Sequence, residues 1–97
     1  MKVSIITAVF NNRDFIEDCI KSVLSQTYKD IEHIIIDGCS TDGTLDVIKN
    51  YNDKIAKWIS ESDNGIYDAL NKGISLASGD VIGFLHADDV YNHNRID

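Results

Sequence analysis

The sequence predicts an α/β fold, a mostly parallel sheet with helices on both faces, and three observations lead to it. Apolar runs rich in β-branched residues alternate along the chain with segments whose apolar residues recur every three or four positions. The runs are close to continuously hydrophobic, as strands covered on both sides are, and do not alternate as half-exposed strands do. Turn and cap residues separate the two kinds of segment, and no proline, low-complexity tract or internal repeat marks a linker. An order of this kind implies right-handed crossovers between parallel strands, with ligands collecting at the strands' carboxyl ends.

The first run, Val3 to Phe10, reads as a strand buried on both faces. Ile16, Cys19, Ile20, Val23 and Leu24 then share one helical stripe, on a helix that starts near Arg13 or Asp14. Ile31 to Ile36 is a second buried strand, stopped by Asp37-Gly38. Ser40-Thr41-Asp42-Gly43-Thr44 is turn and cap chemistry, and Leu45, Val47, Ile48 and Tyr51 line a short helix behind it. Lys54 to Ser60 reads as a third strand. Ile66, Ala69, Leu70, Gly73, Ile74 and Ala77 return to helical spacing, with Gly79 as the expected C-terminal stop. Val81 to Leu85 is a fourth strand, ended by His86-Ala87-Asp88-Asp89.

At 97 residues the chain is one domain at most, residues 1–97, with a thin core. Hydrophobic residues at 43% and charged residues at 26% are ordinary for a globular protein, so the chain should fold. Nine Lys and Arg against sixteen Asp and Glu give a net charge of −7, whose field repels a polyanion and argues against nucleic acid as a partner. An anionic ligand must therefore be held by local N–H groups, a few placed cations or a divalent metal. Thirteen of the acids are Asp, which suits caps, turns and metal sites better than helix interiors. Cys19 and Cys39 fit neither a disulfide framework nor a zinc ribbon and read as free thiols in a reducing, cytoplasmic setting. The N-terminal run reads as a strand and not a signal peptide, and no run has the length to span a bilayer.

Three of the four strand ends carry polar groups: Thr7 and Asn11-Asn12, then Asp37, then Asp88-Asp89. Each alone is ordinary turn chemistry. Together they fall on the one edge that a parallel sheet shares. Adjacent carboxylates at 88 and 89 repel each other unless a positive partner sits near, and magnesium, which takes one or two carboxylates and completes its shell with phosphate oxygens, suits them. The plain alternative is that Asp89 caps the next element.

Val3-Ser4-Ile5-Ile6-Thr7-Ala8-Val9-Phe10-Asn11-Asn12, Ser22-Val23-Leu24-Ser25-Gln26-Thr27-Tyr28, Ile36-Asp37-Gly38-Cys39-Ser40-Thr41-Asp42-Gly43-Thr44, and Asn71-Lys72-Gly73-Ile74 with Gly79-Asp80-Val81-Ile82-Gly83-Phe84-Leu85 and Ala87-Asp88-Asp89 resemble, in order, the nucleotide-binding half of family 2 glycosyltransferases. The resemblance covers essentially the whole chain. It implies a Rossmann-like three-layer α/β/α GT-A fold that binds a nucleotide-diphosphate sugar, a UDP-sugar first, and transfers the sugar with inversion. By the same resemblance Thr7 and Asn11 border the nucleoside and Asp37 lies beside base or ribose. Asp88 and Asp89 hold the ribose and a Mg²⁺ or Mn²⁺ ion whose Lewis acidity eases departure of the diphosphate. Glu61 to Gly73 is similar to one branch of the family, in which Lys72 reaches a phosphate and Asp68 a sugar hydroxyl; a solvated helix face is the alternative for both. Gly65 is expected to allow close approach. Two positions depart from the family pattern. Gly38 stands where many members have a second acid, and His86 stands where the first Asp of Asp-x-Asp is common.

An inverting transfer needs a base to deprotonate the acceptor. In the family that carboxylate follows the metal motif, and only eight residues follow Asp89, so no catalytic residue is assigned and the base is expected beyond Asp97. A truncated piece, a fragmentary gene product and a domain working with another chain are the explanations in view, and little or no transferase activity is expected of the isolated chain. An uncovered apolar face or strand edge predicts self-association, while peripheral membrane association belongs only to a full-length context. The missing base keeps a non-catalytic nucleotide-binding or assembly module open as the alternative function. A receiver-like signalling domain wants an acidic pair where Asn11-Asn12 stand, and a dinucleotide oxidoreductase wants a Gly-x-Gly-x-x-Gly that the chain lacks.

Overall fold

Isoleucine-rich segments place the sheet at the centre of the molecule. In a computed structural model, which describes residues 1–26, 30–62 and 66–85, the chain runs β1 (Val3–Val9), α1 (Arg13–Leu24), β2 (Ile31–Asp37), α2 (Thr44–Asn50), β3 (Lys57–Ser60), α3 (Ile66–Leu76) and β4 (Val81–Leu85). The strand order is β3-β2-β1-β4, and every neighbouring pair is parallel. Ile34, Ile35 and Ile36 are all at 0% exposure, which three successive strand residues reach only when both faces of the sheet are covered. Ile5, Val9 and Ile35 pack with Phe15, Ile16 and Ile20 of α1 and Ile48 of α2 on one face; Ile6, Ile34 and Ile36 pack with Ala69 of α3 on the other. The parallel α/β architecture expected from the sequence is the one observed.

Four local expectations are corrected. Phe10 is not part of β1: the Gly38 N–H closes on the Val9 carbonyl at 3.0 Å, and Asn11 takes a φ of 46° that turns the chain out of the sheet. The third strand begins at Lys57 and not Lys54, because Asn52–Lys54 winds into a single 3₁₀ turn first. Leu24 and Ile74 lie on helical apolar stripes yet are exposed. Gly79 does not terminate α3 by a left-handed turn, since Gly43 alone among the described glycines has a positive φ. Its role is close approach: a Cβ there would stand 2.5 Å from Ser4 Oγ and 2.8 Å from the Ser4 nitrogen.

Two polar clusters are buried within this apolar frame. At the amino edge of the sheet the Glu32 carboxylate accepts the Ser4 hydroxyl (2.7 Å), the Ser78 N–H (2.9 Å) and the Ser78 hydroxyl (2.9 Å), with Lys57 Nζ 3.5 Å away. Burial pushes its pKa up, but the Ser78 N–H, the two hydroxyls and Lys57 outweigh that and bring it down to about 2. On the α1 face the Thr7 hydroxyl lies 2.9 Å from His33 Nε2 and 3.5 Å from Cys19 Sγ. Burial lowers the His33 pKa to about 4 and, against the Thr7 hydrogen bond, raises that of Cys19 to about 11, so both are neutral near pH 7.

Because His33 has a folded pKa of about 4 against 6.5 for the free imidazole, the unfolded chain binds more protons between those values. Stability held above pH 6.5 is therefore lost as the pH falls toward 4, by about 3 kcal/mol in all. Glu32 adds a further loss as the pH drops from 4.5 toward 2. Urea unfolding from pH 7 to 4 should show the first loss, and His33→Gln should flatten it. Gly73 supplies a second expectation, because a Cβ there would lie 2.3 Å from Ile6 Cγ2. Gly73→Ala should lower stability by about 1–3 kcal/mol through forced separation of α3 from β1, read as a fall in melting temperature.

Candidate functional site

The register of the sheet brings Val9, Asp37 and Ser60 to one level at the carboxyl edge. Leu85, the last residue of β4, pairs with Thr7, two residues below Val9. The chain passes from β3 across the opposite face, by way of α3, to reach the far side of β1. The reversal of strand order therefore falls between β1 and β4, where open parallel sheets hold their ligands.

The ends of β1, β2 and β3 contribute to a hydrogen-bonded rim. Past β1, Phe10 is 62% exposed, and Asn11 adopts the left-handed conformation that Asn tolerates better than most residues. The Asn11 N–H donates to Ser40 Oγ at 2.8 Å, and Asn11 Oδ1 accepts the Thr41 N–H at 2.7 Å. Past β2, Asp37 has 0% exposure. Its Oδ2 accepts the Ser40 N–H at 3.0 Å and the Ser60 hydroxyl at 2.7 Å, while its Oδ1 accepts the Ser40 hydroxyl. A buried carboxylate needs such donors to offset the loss of water.

Asp42 ties the first turns of two helices together. It accepts the Arg13 N–H of α1 at 3.4 Å and both the N–H and the hydroxyl of Thr44 of α2, and the Thr44 hydroxyl foremost among these bonds holds its carboxyl below the usual range. The Asp42 carboxylate therefore sits at the amino ends of both helices and is met by their first N–H groups. Gly43, at a φ of 99°, lies against the Arg13 side chain. Past β3, the Glu61 N–H donates to the Asp37 carbonyl at 2.9 Å. Lys72 of α3 lies 3.1 Å from Glu61 and 3.5 Å from Asp68, and donates to the Ser62 carbonyl at 3.0 Å. Glu61 foremost, with Asp68, raises the Lys72 pKa.

Of the residues singled out from the sequence, Asn11, Asp37, Asp68 and Lys72 are joined in one continuous polar chain through Ser40 and Glu61. Thr7 stands apart from it. It is fully buried below the rim, and its hydroxyl serves His33 and Cys19, so it offers no surface to a ligand. Asp88 and Asp89, with His86 and Gly65, lie outside the described residues. Among the described residues no group of three His, Cys, Asp or Glu could hold a metal ion, and no helix is long and apolar enough to cross a membrane. Ser40, Ser60 and Phe10 are site residues that sequence reasoning passed over. The Asp37-x-x-Ser40 spacing signals the first, but nothing local signals Ser60, 23 positions from its partner. The rim is a fixed, internally hydrogen-bonded loop framework beside an exposed aromatic ring, a surface suited to a planar ligand.

The comparisons with known proteins agree with that surface. A sequence model described as Glycosyl transferase family 2 matches residues 4–97. An uncharacterized glycosyltransferase of Mycobacterium tuberculosis is 45% identical over 91 residues, covering 93% of this chain and 35% of the relative. The putative teichuronic acid biosynthesis glycosyltransferase TuaG of Bacillus subtilis is 39% identical over 98 residues, covering 98% of this chain and 39% of TuaG. The chain thus spans little more than a third of these relatives' length. Among solved structures, S. aureus TarS in complex with UDP-GlcNAc superposes with a TM-score of 0.81 at 26% identity, over 91% of this chain and 27% of that one. The mannosyltransferase PcManGT of Pyrobaculum calidifontis, in complex with GDP-Man and Mn²⁺, gives 0.82 at 26% identity, over 90% and 27%. The order of strands, the polar edge they share and a sequence match over nearly all of the chain converge: the protein belongs to glycosyl transferase family 2 and has a GT-A-type fold.

Proposed function

We propose that the chain is the donor-binding portion of a hexosyltransferase that takes its sugar from a nucleotide-diphosphate sugar, a UDP-sugar first, and passes it on with inversion. The observation that carries this reading is the continuous polar rim at the β1/β4 reversal, in a fold whose solved neighbours hold UDP-GlcNAc and GDP-Man. Asn11 and the loop that Asp37 holds receive the nucleoside, with Phe10 beside them. Lys72 faces the phosphates by exchanging its Glu61 partner, which is 57% exposed and so gives up little on release. Asp68 meets a sugar hydroxyl.

Asp88 and Asp89 would hold the Mg²⁺ or Mn²⁺, and their carboxylates are the hard oxygen donors these ions take. β4 carries the chain toward the same edge as Asn11 and Asp37. When bound, the ion supplies Lewis-acid stabilisation to the departing diphosphate. The acceptor side and its general base belong to sequence that the relatives have in addition, since the match covers 35–39% of them. The likeness to TuaG, named for teichuronic acid biosynthesis, supports a place in cell-wall or polysaccharide biosynthesis. The free thiols Cys19 and Cys39 suit a cytoplasmic setting.

Isothermal titration of the chain with UDP, GDP and UDP-GlcNAc, with and without Mn²⁺, tests the reading. Binding of a nucleoside diphosphate, strengthened about tenfold or more by Mn²⁺, is expected, and Asp88→Asn with Asp89→Asn should remove the metal's gain. No heat with any of the three would overturn it. Lys72→Ala should weaken UDP several-fold and leave uridine, which has no phosphate, unchanged; equal losses for both would instead make Lys72 a brace for the β3–α3 connection.

A further inference from the structure

We propose that Ser60 is a positioning residue for nucleotide binding, acting through Asp37; the inference rests on the reading of the rim as a nucleotide site. Asp37 shows no surface, so whatever it contributes passes through the groups it holds. Its Oδ2 has two donors, the Ser40 N–H on its own loop and the Ser60 hydroxyl at the end of β3. Ser60 therefore fixes the carboxylate from the neighbouring strand, while Ser40 fixes it from within. The geometry runs on from there. By donating its proton to Asp37 Oδ1, the Ser40 hydroxyl turns its lone pairs to the Asn11 N–H, and Asn11 in turn accepts from Thr41.

Three hydrogen bonds thus connect the end of β3 to the exit of β1, without Ser60 itself lying in either loop. Removing the Ser60 hydroxyl leaves a buried carboxylate oxygen short of a donor. That costs more than the loss of an ordinary surface hydrogen bond, and the carboxylate must turn to find another. Ser40 and Asn11 move with it. A residue of this kind sets how the exit of β1 and the loop after β2 are held and need not touch the ligand.

The test compares Ser60→Thr with Ser60→Val, two β-branched variants that differ in the hydroxyl alone, with Ser60→Ala as a smaller control. Amide spectra of the nucleotide-free chain and titrations with UDP and GDP in Mn²⁺ are read on all three. Ser60→Val and Ser60→Ala should displace the Asn11 and Thr41 amide signals and weaken the nucleotide about tenfold, and Ser60→Thr should keep both near the parent values. Unmoved Asn11 and Thr41 signals in the Val or Ala variant, or affinity equal to the parent, would overturn the inference. A folded Ser60→Thr that binds as weakly as Ser60→Val would do so too. If the parent chain binds neither UDP nor GDP, the nucleotide reading fails by itself, and the amide signals still decide whether Ser60 sets the rim.

Discussion

A buried carboxylate at the end of a central strand organises this molecule's carboxyl edge. Asp37 lies at the last position of β2, with β1 on one side and β3 on the other. An ionised group without water must be surrounded by donors, and the requirement is stringent because an unmet one costs as much as a whole helix cap contributes. The donors available are those of the two serines and one backbone N–H. Meeting the demand of Asp37 therefore draws the loop after β2 and the end of β3 together, and the same Ser40 oxygen that serves Asp37 captures Asn11 from β1. The rim is a by-product of satisfying one charge.

The same strand carries a second buried carboxylate near its other end. Glu32 is the second residue of β2 and is met by two serine hydroxyls and one N–H, as Asp37 is. The consequences differ because the neighbours differ. Glu32 takes its donors from the start of β1 and from the turn before β4, where Gly79 has no side chain to hold that turn away from Ser4. It locks α3 and β4 onto the sheet. Asp37 instead gathers loops that leave the sheet and carry exposed groups into solvent. One device serves assembly at the amino edge and a binding surface at the carboxyl edge.

Much of this was legible in the sequence, and the part that was not has a common cause. Alternating β-branched runs and helical stripes revealed the element order and the parallel sheet, because backbone periodicity is local information. Asn11 and Asp37 stand out as polar groups at strand ends and Asp68 and Lys72 through the resemblance alone, and the four share one network. Thr7 was misplaced because the alternation of a strand that is buried on both faces cannot say which polar residue reaches the edge and which meets a histidine in the core. Glu32 and His33 sit inside an apolar run, and their partners Ser78 and Thr7 lie 46 and 26 positions away. Ser60 is hidden for the same reason. Pairings of that range are set by register, which the topology has to supply first.

The charge balance sharpens what the rim has to do. With a net charge of −7 the chain does not draw an anionic nucleotide by its field. Its most buried cation at the rim, Lys72, is already shared between two carboxylates. Attraction must come from short-range contacts: the metal ion proposed for Asp88 and Asp89, and polar groups on the loops that Asp37 and Asp42 hold in place. Such groups are effective only if they are already aimed, because turning them on binding would spend the free energy of the contact. A site built from hydrogen bonds in an acidic protein therefore demands a rigid rim. Three strand ends joined through one dry carboxylate provide that rigidity with few residues, which is why a change at β3 should be felt at the exit of β1.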